Sequence, residues 1–238
     1  MSPPHALLAA LIFAFGSCVQ GAVGFGSNLL AAPLLVLLSA RFVPGPVVVA
    51  STVLGILIFR RHPPGMVDAT IVPASVGQLV GTLTAGGVMM MLPSGGLSIL
   101  FAVLVLLGVA LTARGGTIAP SRRLITGAGV ASGFMGTVSG IGGPPIALAY
   151  AGLSAPALRA TLSRFFLVGS ALSIPTLIVV GRLGADQLVP TLVLIPGAVL
   201  GFALSPALAR RLDQRTARPV VMALSGIAAV AVLVRTLT

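Results

Sequence analysis

Residues 21–28 read GAVGFGSN and residues 136–145 read GTVSGIGGPP, and both stretches interrupt apolar sequence. When the chain is shifted by 116 positions, Gly24 aligns with Gly140 and Gly26 with Gly142. Glycine loses the most conformational entropy on folding and proline lacks a backbone donor, so neither stretch favours a continuous helix. Broken helices at matching places in the two halves of a membrane protein are typical of a transport site.

The composition predicts an integral membrane protein with a single domain, residues 1–238. The chain is 57% hydrophobic and only 7% charged, with a mean hydropathy of +1.14, whereas soluble domains carry about 25% charged residues. The net charge of +11 comes from arginines in short gaps between apolar runs, which argues against a nucleic-acid partner. The single cysteine, Cys18, excludes an internal disulfide and a cysteine metal site, and we expect neither a metal nor another cofactor.

The apolar segments repeat one plan in two halves, about 1–113 and 120–238. Each half begins with two short pieces around a glycine break, and runs of about 10–14 residues suit re-entrant segments better than full crossings. We therefore predict an all-α polytopic protein with two inverted repeats, each a broken or re-entrant helical hairpin plus three transmembrane helices, or about eight membrane segments by the conventional count. A second internal match pairs Gly77 and Gly81 with Gly197 and Gly201. The predicted segments are 6–19, 28–38, 46–59, 70–92 and 97–113, then 124–135, 144–153, 162–180, 188–209 and 219–233.

The arginines favour hairpins that enter and leave the membrane on one side. This topology places eleven of the 14 arginines on one side and only Arg41, Arg182 and Arg235 on the other, whereas kinked full crossings divide them evenly. The positive-inside rule then assigns the rich side to the cytoplasm and both termini to the other side. The two hairpins would enter from opposite sides, so their tips can meet near the midplane. We expect anionic lipids to contact the cytoplasmic cluster Arg210, Arg211, Arg215 and Arg218.

The stretches 21–33 and 136–149, their spacing and the duplicated plan resemble the TauE/SafE sulfite exporter family. This family is also called TSUP, after 4-toluene sulfonate uptake permease, or DUF81. The resemblance spans essentially the whole chain. It implies a multi-pass carrier in the bacterial inner membrane for sulfur-containing anions such as sulfite, sulfonates or thiosulfate.

The glycine breaks are the predicted binding site, because an oxyanion needs several donors and the N-termini of half-helices present free N–H groups. Tight helix packing is the alternative explanation of the glycines, and a snorkelling interfacial side chain is the alternative for Arg164. The predicted binding residues are Gly24, Phe25, Gly26, Ser27, Asn28, Ser139, Gly140, Gly142, Gly143 and Pro144. The side chains that could also contact substrate are Gln20, Gln78, Thr137, Thr161, Ser163 and Arg164.

Ionisable groups are absent from the middle of the predicted spans. The only acids and histidines, Asp68, Asp186, Asp213, His5 and His62, lie near span ends, which argues against a proton relay. We predict electrogenic, uncoupled export by alternating access; sodium held by hairpin carbonyls stays open. The alternatives are an anion channel, an uptake carrier for another small organic anion, and a membrane-embedded enzyme. We predict that the chain is not an enzyme, because no histidine in a span could activate Ser139. The sequence does not predict the oligomeric state.

Overall fold

The computed structural model describes residues 2–61, 68–114, 121–211 and 214–237, which form α-helices and short 3-10 turns but no strand. The predicted all-α class is confirmed. His62 and Asp213 lie outside the described residues, as do the side chains of Arg211, Arg215 and Arg218 in the predicted lipid-binding cluster. The helices are α1 (Pro3–Val23), α2 (Ser27–Leu38), α3 (Gly45–Arg61), α4 (Ile71–Met91), α5 (Ser94–Arg114), α6 (Arg122–Ser139), α7 (Gly143–Ala149), α8 (Ala155–Val179), α9 (Leu188–Arg211) and α10 (Gln214–Leu237).

Length and surface identify the chain as a multi-pass membrane protein. Within the described residues, five helical stretches are long and apolar enough to cross a bilayer. Large apolar side chains on their outer faces, such as Val72, Leu83 and Leu192, are at least 60% exposed. Such a surface suits contact with lipid rather than water. The five stretches are Pro3–Val23, Ile71–Met91, Gly95–Arg114, Ala155–Val179 and Ala185–Arg210.

The first arm of each hairpin is longer than predicted. α1 has 21 residues and α6 has 18, so the predicted short pieces 6–19 and 124–135 are wrong in length. The reason is that Gly21 and Gly136 stay helical, and each helix ends only at the first glycine with a left-handed backbone. Those glycines are Gly24 and Gly140, in the position that commonly ends helices.

Each broken pair folds back on itself as an antiparallel hairpin. In the first, the hydroxyl of Ser27 donates to Gln20 Oε1, and Gly16 packs on Ala31. In the second, the hydroxyl of Ser132 donates to the carbonyl of Gly142. The first hairpin therefore begins and ends at one end of the helix bundle, and the second at the opposite end.

The two halves pack crosswise. α1 lies along α9 and α4 lies along α6, while α3 faces α8 and α5 faces α10. The matched glycines lie at these crosswise contacts: a Cβ on Gly81 would come within 2.8 Å of Phe134 N, and one on Gly201 within 2.8 Å of Cys18 N. The repeated Gly-x-x-x-Gly pattern thus allows close backbone approach between the halves.

The described arginines separate toward two ends of the bundle. At the arginine-rich end, Arg61 Nη1 donates to Ser205 Oγ at 3.0 Å, which joins the last turn of α3 to α9. At the opposite, arginine-poor end, Arg235 Nη1 donates to the Leu37 carbonyl at 3.0 Å. The helix directions place Arg41 and Arg182 at the arginine-poor end too, together with the start of α1 and the end of α10.

The cavity between the two helix breaks

Both breaks depend on glycine for a backbone that other residues rarely adopt. Gly24 and Gly26 have φ of +109° and +103°, and Gly140 has φ of +75°. A side chain at these angles is strained, so the turns need glycine. After each break the chain re-enters a helix where predicted, since Ser27 opens α2 and Gly143 opens α7.

Asn28 joins the two breaks. Its Nδ2 donates to the Gly140 carbonyl and to Ser51 Oγ, both at 2.8 Å, and Ser51 Oγ donates back to its Oδ1 at 3.2 Å. Both amide protons therefore have protein acceptors. In this arrangement Asn28 couples α2 to the second break and to α3, rather than offering free donors to a ligand.

A cavity of about 70 Å³ lies where the breaks meet. A buried water needs about 10–15 Å³ by the same kind of measure, so the space fits roughly five water-sized groups, which suits a small polyatomic ion. Nine of the predicted residues line it: Gln20, Gly26, Ser27, Asn28, Gln78, Gly140, Gly142, Gly143 and Pro144.

Four predicted residues close to the breaks do not line the cavity. Gly24 lies against the side chain of Arg159, and Phe25 lies next to Gly143, where a Cβ would come within 3.3 Å of it. Ser139 Oγ donates to the Met135 carbonyl at 2.7 Å. Thr137 Oγ1 is buried and bonds to the Gly133 carbonyl and to Ser173 Oγ, each at 2.8 Å.

The three predicted residues at the start of α8 also lie away from the cavity. Thr161 Oγ1 accepts from the backbone N–H of Asp68 at 3.0 Å, and Ser163 Oγ donates to the Ala160 carbonyl at 3.0 Å. The guanidinium of Arg164 lies 4.9 Å from the centre of the Phe59 ring. All three belong to the arginine-rich end of α8, whereas the residues of α8 that line the cavity begin at Phe166.

Sequence reasoning missed several lining residues. On α8 the missed residues Gly169, Ser170 and Ser173 recur at three- to four-residue spacing, which is the signal that could have identified one small, polar helix face. Three of the others, Leu29, Gly136 and Ile141, lie within the two glycine-rich stretches, and the rest lie in no motif. The rest are Val48, Ser51, Ser132, Gly133 and Phe166.

Gln78 presents the clearest unmet hydrogen-bonding need. Its side chain is 4% exposed, and its Oε1 has no partner. Gly169 makes room for this amide, because a Cβ there would overlap Nε2 and lie 2.9 Å from Cδ. A buried polar group without a partner costs about 1–3 kcal/mol. That oxygen can only accept a hydrogen bond, so only a donor would remove the cost, whereas the Nε2 group of the same amide is the part that can donate to an anion.

The cavity is lined by polar side chains together with glycines and apolar groups, and no described lining residue carries a charge. The N-terminus of α2 gives the cavity a positive electrostatic potential, since the first N–H groups of a helix have no acceptor within the helix. The matching end of α7 has fewer donors, because Pro144 and Pro145 lack an N–H. An anion is therefore the ion that this arrangement favours.

Comparison with known proteins identifies the family. A family model described as "Sulfite exporter TauE/SafE" matches residues 8–232, which include both breaks. No curated protein and no solved structure matches the chain.

Proposed function

We propose that this chain, which belongs to the sulfite exporter TauE/SafE family of membrane transporters, exports sulfite or a small organosulfonate across the bacterial inner membrane. The observation that carries the proposal is the neutral, polar cavity between the two breaks. The cavity lies at the positive end of α2, and Gln78, which lines it, carries amide N–H donors, so the lining provides what a small oxyanion needs.

The absence of charge among the described lining residues supports transport rather than tight retention. An arginine in the cavity would hold the anion by a charge-assisted pair, whereas neutral donors bind it more weakly. Release is then easier, and the donors remain the same whichever side the cavity faces.

Alternating access is the mechanism that we propose. The hairpins approach from opposite ends of the bundle, and Asn28 joins their breaks by its 2.8 Å bond to the Gly140 carbonyl. Rocking of one half against the other would expose the same cavity to each side in turn. In this proposal the arginine-rich end faces the cytoplasm and both termini face outward.

Export needs no partner ion in this scheme. When the membrane potential is negative on the cytoplasmic side, it favours the outward movement of an anion by a free energy of about 2.3 kcal/mol per charge per 100 mV. No described residue that lines the cavity is ionisable, so we expect electrogenic flux without proton coupling.

The test is flux in proteoliposomes held at a set membrane potential, with sulfite, thiosulfate, sulfoacetate and taurine offered in turn. We expect saturable, potential-driven flux of one sulfur anion, with counterflow that a channel would not show. Gly87→Ala should give the same flux as the wild-type protein, since a Cβ at Gly87 meets nothing within 4 Å. It is the control for substitutions of other glycines. Folded wild-type protein that moves none of these anions would refute the substrate class.

A further inference from the structure

A second cavity lies at the arginine-poor end and shares no lining residue with the first. Its volume is about 330 Å³, and its lining includes Arg41, Arg182, Ser98 and Gln187. The loop after α2, the loop after α8 and the first turn of α5 form its wall. We call this cavity the arginine vestibule.

Positive charge at this end is concentrated on the vestibule. Arg41 is exposed and Arg182 half-buried, and neither has an ion-pair partner within 4.0 Å in the described part of the chain. The acidic residue of the neighbouring loop, Asp186, is exposed and accepts a 2.8 Å hydrogen bond from Gln187 Nε2. The third arginine of this end, Arg235, binds the carbonyl of Leu37, next to the vestibule wall.

An apolar layer separates the vestibule from the cavity between the two breaks, which we call the central cavity. Val48 lines the central cavity, while Met89 and Val138 line the vestibule. All three side chains belong to one buried apolar cluster. An anion in the vestibule is therefore outside the central cavity but next to the layer that closes it.

We propose that the arginine vestibule is a second anion-binding site, which holds a small soluble oxyanion between the guanidinium groups of Arg41 and Arg182. Guanidinium groups match the geometry of oxyanions and remain charged at any physiological pH. A cleft with one sign of charge raises the local concentration of the opposite ion by roughly 10- to 1,000-fold. The site's place on a transport path rests on the proposed function, but its affinity for anions does not.

The test measures how fast anionic and cationic thiosulfonate reagents modify Ser98→Cys in a Cys18→Ala background. The protein is placed in discs of neutral phosphatidylcholine. At Ser98→Cys, the ratio of the anionic to the cationic modification rate should be at least about tenfold higher than the same ratio at Ser2→Cys. Ser2 is an exposed position at the same end. In the double variant Arg41→Gln/Arg182→Gln, this ratio should fall to within about twofold of the ratio at Ser2→Cys, and in Arg235→Gln the anionic preference should persist.

Competition identifies the occupant. Sulfate at constant ionic strength should slow the modification of Ser98→Cys by both reagents, and the double arginine variant should lose this protection. An anionic-to-cationic rate ratio equal to that at Ser2→Cys, or protection that only phosphatidylglycerol in the discs provides, would overturn the proposal of a soluble-anion site. The assay requires no transport, so a failed flux experiment beside a retained anionic preference would refute the proposed function alone.

Discussion

Gly169→Ala should separate the contribution of Gln78 to binding from its contribution to folding. The new Cβ would overlap Gln78 Nε2 and lie 2.9 Å from Cδ, whereas ordinary contact begins at 3.4 Å. The amide must therefore withdraw by at least about 0.5 Å at Cδ, and its long side chain can turn without moving the backbone. The expected result is a cavity from which the N–H donors of Gln78 have been withdrawn.

The size of both effects can be worked out. A hydrogen bond to a charged group contributes about 1.5–3 kcal/mol, so the apparent affinity for the anion should fall about 10- to 150-fold. Alanine in a helix gains about 1 kcal/mol over glycine, and an off-rotamer glutamine costs about 0.5–1.5 kcal/mol. The free energy of unfolding should then change by less than about 1 kcal/mol.

Flux in proteoliposomes as a function of anion concentration measures the affinity, and thermal unfolding in detergent measures the stability. Gln78→Leu should reproduce the loss of affinity, and Gly87→Ala on the same helix as Gln78 should not. Unchanged affinity in both Gly169→Ala and Gln78→Leu, in folded protein, would refute the role of this amide in binding.

Three further outcomes are expected. Gly81→Ala should lower the free energy of unfolding by about 1–3 kcal/mol, because its Cβ meets the backbone of α6; thermal unfolding beside Gly87→Ala would show this, and equal melting temperatures would contradict it. Asn28→Ala should abolish flux and cost about 1–3 kcal/mol of stability, because the Gly140 carbonyl and Ser51 lose their donor; a fully active variant would exclude the coupling of the breaks. Flux measured against pH should follow only the protonation of the anion, since no described lining residue titrates; a bell-shaped profile with a non-titrating sulfonate would contradict this.

The sequence predicted the breaks and their neighbours well, because their cause is local. A glycine with a left-handed backbone ends a helix regardless of what surrounds it, and Ser27 and Gly143 open the next helices as expected. The lengths of α1 and α6 could not be read in the same way. Gly21 stays helical because it packs against Ser205, and such a contact depends on a helix almost two hundred residues away.

The candidate site was only partly predictable for the same reason. Residues near the breaks in sequence, such as Thr137 and Ser139, are turned away because they bond to their own helix. Ser51, by contrast, lies in no motif, and only the crossing of α3 past Asn28 brings it to the cavity. Which residues line the cavity depends on which helix faces pack together there. The periodicity of each helix in the sequence does not predict that packing.

The two breaks match in sequence, but they differ in what they can offer an anion. α2 has 12 residues and opens with Ser27, Asn28 and Leu29, each of which carries an N–H. α7 has seven residues and opens with Gly143 followed by two prolines, which carry none. The carbonyls of Gly140 and Gly142 instead accept hydrogen bonds from Asn28 and Ser132. The first break therefore supplies the donors, while the second is held in place by the protein around it. A duplicated fold can in this way form one polar cavity whose two sides have different roles.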